Sequence, residues 1–167
     1  MNTAHRKASR AKRIPLPLVN PIEHAMASAR CFTPAQLERL MAPNRAAVHA
    51  LQFGGFSAEH WKALADAFNV AEVLARPPVN LANDHASKFD EAQKVLFALS
   101  EQYRDHHTWT ARASQLAAVR DALEIFQIQL ENVAQGEFER AVEKLRQRMI
   151  QAIRGNGGGV QLVTVPA

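Results

Sequence analysis

Hydrophobic positions along this chain recur at alternating steps of three and four residues, the signature of one face of an α-helix. The clearest run is Leu116, Val119, Leu123, Phe126, Leu130 and Val133, which reads as the seam of a bundle or coiled coil. Phe89, Ala92, Leu96, Leu99 and Tyr103 repeat the spacing and predict a helix over about 83–104. Trp61, Leu64, Phe68, Ala71 and Ala75 do the same, while Ala63, Ala67, Val70 and Leu74 fill a second face. A helix apolar on two faces is expected to be buried between neighbours. Beyond Gly136, Phe138, Val142, Leu145, Met149 and Ala152 continue one residue out of phase. A turn is expected at Gly136, with a continuous helix of drifting phase as the alternative.

The residues between these runs set the boundaries. Pro21 suits the first position of a short helix through about Arg30, with Asn20 as its cap. Thr33-Pro34 repeats that start signal ahead of Leu37, Leu40 and Met41. Pro43-Asn44 is expected to interrupt, leaving Ala46 to Phe53 as a separate short helix. Gly54-Gly55 breaks the chain, Ser57 caps the next helix with Glu59 in its first turn, and Pro77-Pro78 ends it. Asp105-His106-His107-Thr108 reads as a polar turn, and Gly155 to Gly159 as a flexible stop.

The expected fold is therefore all-α, a helical bundle of about five or six helices. Its spine is an antiparallel hairpin of helices at about 83–104 and 112–134, joined by Gly136 to a third at about 137–154. An exposed seam on the 116–133 helix would imply a dimer, and a covered one would not. The expected divisions are a flexible basic arm at 1–20, a helical domain at 21–154 and a flexible tail at 155–167. Ile14 to Pro21 should be extended, since alternate prolines exclude helix. Val160 to Val165 has strand-like composition but no partner strand, and reads as a loose tail, with addition to another protein's sheet edge the sharper alternative.

Composition changes this picture in one respect, the placement of charge. The chain of 167 residues carries 20 Lys plus Arg against 16 Asp plus Glu, a formal net charge of +4. Residues 1–22 hold Arg6, Lys7, Arg10, Lys12 and Arg13 and no acid, a charge of +5. The rest holds 15 bases and 16 acids, a charge of −1. The high pI thus belongs to the arm, not to the body. A secretory signal is not expected, because the apolar stretch Ile14 to Val19 is short and broken by prolines. The prolines also confine any transit-peptide helix to the first dozen residues. The functional reading is an arm that neutralises phosphates of DNA or RNA through Arg6, Lys7, Arg10, Lys12 and Arg13; the plain reading is a solvated terminus. Apolar runs are a few residues long, so no membrane span is expected. The single cysteine, Cys31, cannot form an internal disulfide, which points to a reducing compartment.

Candidate chemistry is sparse. Seven histidines include no i, i+4 pair on a helix, and His106 with His107 and Asp105 reads as a solvated loop before it reads as a metal site. Cys31 beside Arg30 is expected in a short helical region and reads as an ordinary buried or neutral thiol. No Gly-x-Ser-x-Gly occurs, and the Gly-rich stretch lacks the Lys-Ser/Thr of a phosphate loop. Asp90-Glu91 and Glu137/Glu139 fall at helix starts, where the helix dipole favours acids. Leu64 to Val70 resembles the first half of a helix-turn-helix, with Asn69 in the turn. Pro77-Pro78 would end that recognition helix after about six residues, with Arg76 its only base. A continuous buried helix is the preferred reading. Trp61 reads as core, and Trp109 as packing over the hairpin or as a contact at the bundle end. No cofactor and no enzymatic activity are expected.

Two segments, Leu51 to Ala75 and Leu116 to Arg148, resemble small helical proteins encoded on prophages and plasmids of proteobacteria. The shared features are the basic arm, the glycines followed by Trp61 and Leu64-Ala65-Asp66-Ala67-Phe68-Asn69, and the Gln135-Gly136-Glu137 turn. The resemblance implies a cytoplasmic bacterial protein of a mobile element and assigns no activity and no functional residue. The expected function is that of a non-enzymatic accessory protein associating with nucleic acid through its arm. The alternative is a protein-interaction module (regulator, phage structural component or inhibitor of a host system) docking a host or phage protein through its bundle and tails.

Overall fold

The computed structural model describes residues 21–154. They form six α-helices: α1 (Pro21–Ser28), α2 (Pro34–Phe53), α3 (Ala58–Ala75), α4 (Ala86–His106), α5 (Ala113–Asn132) and α6 (Gln135–Ile153). A single turn of 3-10 helix, Asn83–His85, precedes α4, and no strand occurs among the described residues. The fold is an all-α bundle, as the periodicity predicts. Asn20, the basic arm with the proline-rich stretch after it, and the tail at 155–167 lie outside the described residues.

The doubly apolar helix, α3, is the centre of the molecule, packed against α2, α4, α5 and α6. Leu64, Phe68, Ala71 and Leu74 have no exposed surface. Burying most of one helix leaves its buried polar atoms dependent on specific partners. Trp61 Nε1 donates to the Leu96 carbonyl of α4 at 2.8 Å. From α5, Gln129 Nε2 donates to the Ala71 carbonyl at 3.1 Å and to that of Leu81 at 2.7 Å. α3 is continuous through Asn69, so the helix-turn-helix reading has no turn to rest on.

The start signals hold. Ser57 Oγ accepts from the His60 backbone N–H at 3.4 Å, capping α3. Thr33 and Gln36 make a reciprocal capping box on α2. Gly54 and Gly55, at φ 98° and 86°, turn the chain from α2 into α3 in a conformation that side-chain-bearing residues rarely adopt.

Two expectations are corrected. Pro43 does not interrupt: α2 is one helix of 20 residues with Pro43 inside it. Met41, Asn44, Val48 and Leu51 are all buried and keep the 3, 4, 3 spacing across the proline. Packing of that stripe outweighs the ~3 kcal/mol an interior proline costs. Asn44 Nδ2 also donates to the Leu40 carbonyl at 2.9 Å, satisfying an acceptor beside the proline. Second, the break before α6 is real but does not lie at Gly136. Val133 and Ala134 take extended conformations, and Gly136 is already in the first turn of α6. The glycine serves close approach instead, because a Cβ built there would lie 2.7 Å from Ser28 Cβ of α1. The extended pair is held by an isolated bridge between Ala134 and Cys31 and by the Gln135 N–H donating to the Arg30 carbonyl at 2.9 Å.

The polar turn between α4 and α5 is exposed from Asp105 to Thr108, with α4 running through His106 into it. His107, at φ 54°, caps α4, and the following residues run back along it. Trp109 stacks on Tyr103, centroids 4.4 Å apart, and the Thr110 N–H donates to Gln102 Oε1 at 3.3 Å. Further along the hairpin, Lys88 of α4 pairs with Asp121 of α5 at 3.3 Å. Trp109 is a packing residue of the hairpin.

Candidate docking groove

An apolar groove of the described body runs between α6, α2 and α3. α6 packs against α3 and α1. Of its apolar residues Ala141 is buried and Phe138 and Leu145 are half-buried. Val142 and Met149 remain 40% and 39% exposed. Phe138, Val142, Leu145 and Met149 form one wall of a groove of about 680 Å³. Ala63, Ala67 and Val70 of α3 and Leu40 and Pro43 of α2 form the others, with Phe126 of α5 also lining it.

Four polar side chains line the same groove: Asn44, Lys62, Asp66 and Arg146. Asn44 is only 5% exposed, and its Oδ1 accepts no hydrogen bond. Burial holds the Asp66 carboxyl above its ordinary range, with the neighbouring Lys62 charge opposing that shift. The lining includes no His, Cys, Ser or Thr. Apolar walls with a few polar groups at the edge suit recognition, and the volume lies within the range of binding clefts.

The residues singled out from sequence fall elsewhere. Arg6, Lys7, Arg10, Lys12 and Arg13 lie outside the described residues. Asp105, His106 and His107 are exposed at the end of α4, and no group of three or more His, Cys, Asp or Glu able to hold a metal occurs among the described residues. Cys31 is neither helical nor buried; it is an exposed free thiol in the linker between α1 and α2. Ser57 Oγ lies 3.1 Å from His60 Nδ1, but the same hydroxyl caps α3, which accounts for the contact. No described helix is long and apolar enough to cross a membrane.

The groove itself had a signal in the sequence. Phe138, Val142, Leu145 and Met149 form a regular stripe on a helix otherwise rich in charge. Which side of that stripe would find a neighbour was not legible. No protein-family model, curated protein or solved structure matches the chain.

Proposed function

We propose that this protein is a non-enzymatic accessory protein that acts by binding, its helical body docking an amphipathic helix in the groove between α2, α3 and α6. The observation that carries this reading is the exposure of Val142 and Met149 on the wall of an apolar groove. An amphipathic helix laid along such a groove covers its apolar wall while leaving polar rims in water. The resemblance of residues 51–75 and 116–148 to prophage and plasmid proteins favours a mobile element in a bacterial cytoplasm as the setting.

The direct test is binding of the apolar dye 1-anilinonaphthalene-8-sulfonate to dilute protein. Met149→Glu should weaken binding about tenfold, the scale of losing one buried apolar side chain. Ile128→Glu, at an exposed apolar position on α5 away from the groove, should leave it unchanged. Equal effects of the two substitutions would refute a groove-centred function.

The segregation of charge favours a second contact, between the basic arm and DNA or RNA. With five cations in the arm, the slope of log affinity against log salt should not exceed about 4.5 in magnitude. Deleting residues 1–20 should abolish binding; undiminished binding by the truncated body would rule the arm out.

A further inference from the structure

On the docking reading just given, we infer that the occupant of the groove is α6 of a second copy of this chain, paired antiparallel about a two-fold axis. The first ground is the spacing of the stripe. Phe138, Val142, Leu145 and Met149 are separated by four, three and four residues, a pattern that reads the same in both directions. Antiparallel pairing of two such helices sets Phe138 against Met149 of the second copy and Val142 against Leu145. Each layer then joins the two kinds of seam position, as antiparallel helix pairs require. A two-fold interface must be self-complementary in this way.

The second ground is charge. From Gln135 to Glu143 the helix carries Glu137, Glu139 and Glu143 against Arg140, and from Lys144 to Arg154 it carries Lys144, Arg146, Arg148 and Arg154 with no acid. None of these eight side chains takes part in an ion pair among the described residues. A parallel arrangement would place like charges together. The antiparallel one places each acidic half on a basic half, with Glu139 beside Arg146 of the second copy, twice per dimer. Arg146 already lines the groove. Complementary charges of this kind fix orientation and partner choice more than they add affinity.

The third ground is what remains open elsewhere. The 116–133 seam is covered within the chain, with Val119, Leu130 and Val133 fully buried. On α6, by contrast, Val142 and Met149 of the stripe remain 40% and 39% exposed. The pairing would also bring two basic arms into one particle.

The test is sedimentation equilibrium of the full chain across a range of concentrations. The native chain should show a reversible monomer–dimer equilibrium, and Met149→Glu should shift it to monomer with an unchanged helical circular dichroism spectrum. Glu139→Arg and Arg146→Glu should each weaken dimerisation by about tenfold, since each creates two like-charge contacts. The double variant should recover most of the native affinity, which a surface effect of either charge alone would not produce. Two dimers with unaltered affinity in the single charge variants would overturn the antiparallel assignment. A chain that stays monomeric at every concentration would overturn the second copy as occupant. Dye binding then separates the two readings: loss on Met149→Glu in that monomer leaves the docking groove standing, whereas no change removes both.

Discussion

Helices α5 and α6 adjoin in the chain, have nearly the same length and carry apolar stripes of the same spacing, yet one stripe is closed and the other is half open. α5 lies against α2, α3 and α4, and its seam is buried from Val119 to Val133. α6 adds Ala141 to the core and packs mainly against α3 and α1. α1 is only eight residues long and is seated at the start of α6, where Gly136 meets Ser28. Amphipathicity states that a helix needs a cover; the number of helices left to provide one decides whether the cover comes from the same chain.

The sharpest way to break this contrast is to truncate one residue of each stripe. Leu130→Ala in α5 should cost about 2–5 kcal/mol, the range for emptying a closed core site. Met149→Ala in α6 should cost under about 1 kcal/mol in dilute monomer, because much of that side chain is already in water. Urea unfolding of both variants checks the pair, and equal losses would show that α6 is as closed as α5.

Replacing Pro43 probes the helix that faces α6 across the groove. Since the α2 stripe holds its phase through the proline, Pro43→Ala should stabilise the protein by about 1–3 kcal/mol through helix propensity alone. Thermal unfolding measures this, and a loss would mean the proline contributes packing that its exposed position does not suggest.

Gly136→Ala tests how α6 is anchored. The new Cβ meets Ser28, so a loss of about 1–2 kcal/mol is expected from overpacking. Ser28→Gly should return part of it, because the Ser28 Cβ is the nearest atom and the backbone carbonyl at 3.1 Å remains. No rescue would place the strain elsewhere.

The smallest effect concerns Asp66 at the groove. Burial raises its folded-state pKa, so the folded protein binds that proton more tightly than the unfolded chain does. The associated stability is present below the ordinary carboxylate value and is lost as pH rises through the raised one. Asp66→Asn should therefore be slightly more stable than the native protein near neutral pH. The difference should vanish in acid, and denaturant midpoints at the two pH values check its direction.

Much of the fold was legible because periodicity and caps act locally. Ser57, Thr33, the Gly54-Gly55 pair and the α3, α4 and α5 stripes each pointed to the element that formed. The misreadings share a cause in tertiary contacts. Pro43 reads as a breaker until the buried residues on either side are known to share one wall. Gly136 reads as a turn residue until Ser28 is known to lie against it. For the groove, the 4, 3, 4 spacing of α6 and its split charge were in plain view. Their meaning depends on how much of α6 its neighbours leave uncovered, which no local pattern encodes.

The most direct measurement is amide hydrogen exchange of α5 and α6 followed as chain concentration is raised. Protection of α6 should increase with concentration while that of α5 stays constant, because one stripe is closed by a second copy and the other by the chain itself. Protection of α6 that is independent of concentration, or that changes in step with α5, would contradict the account.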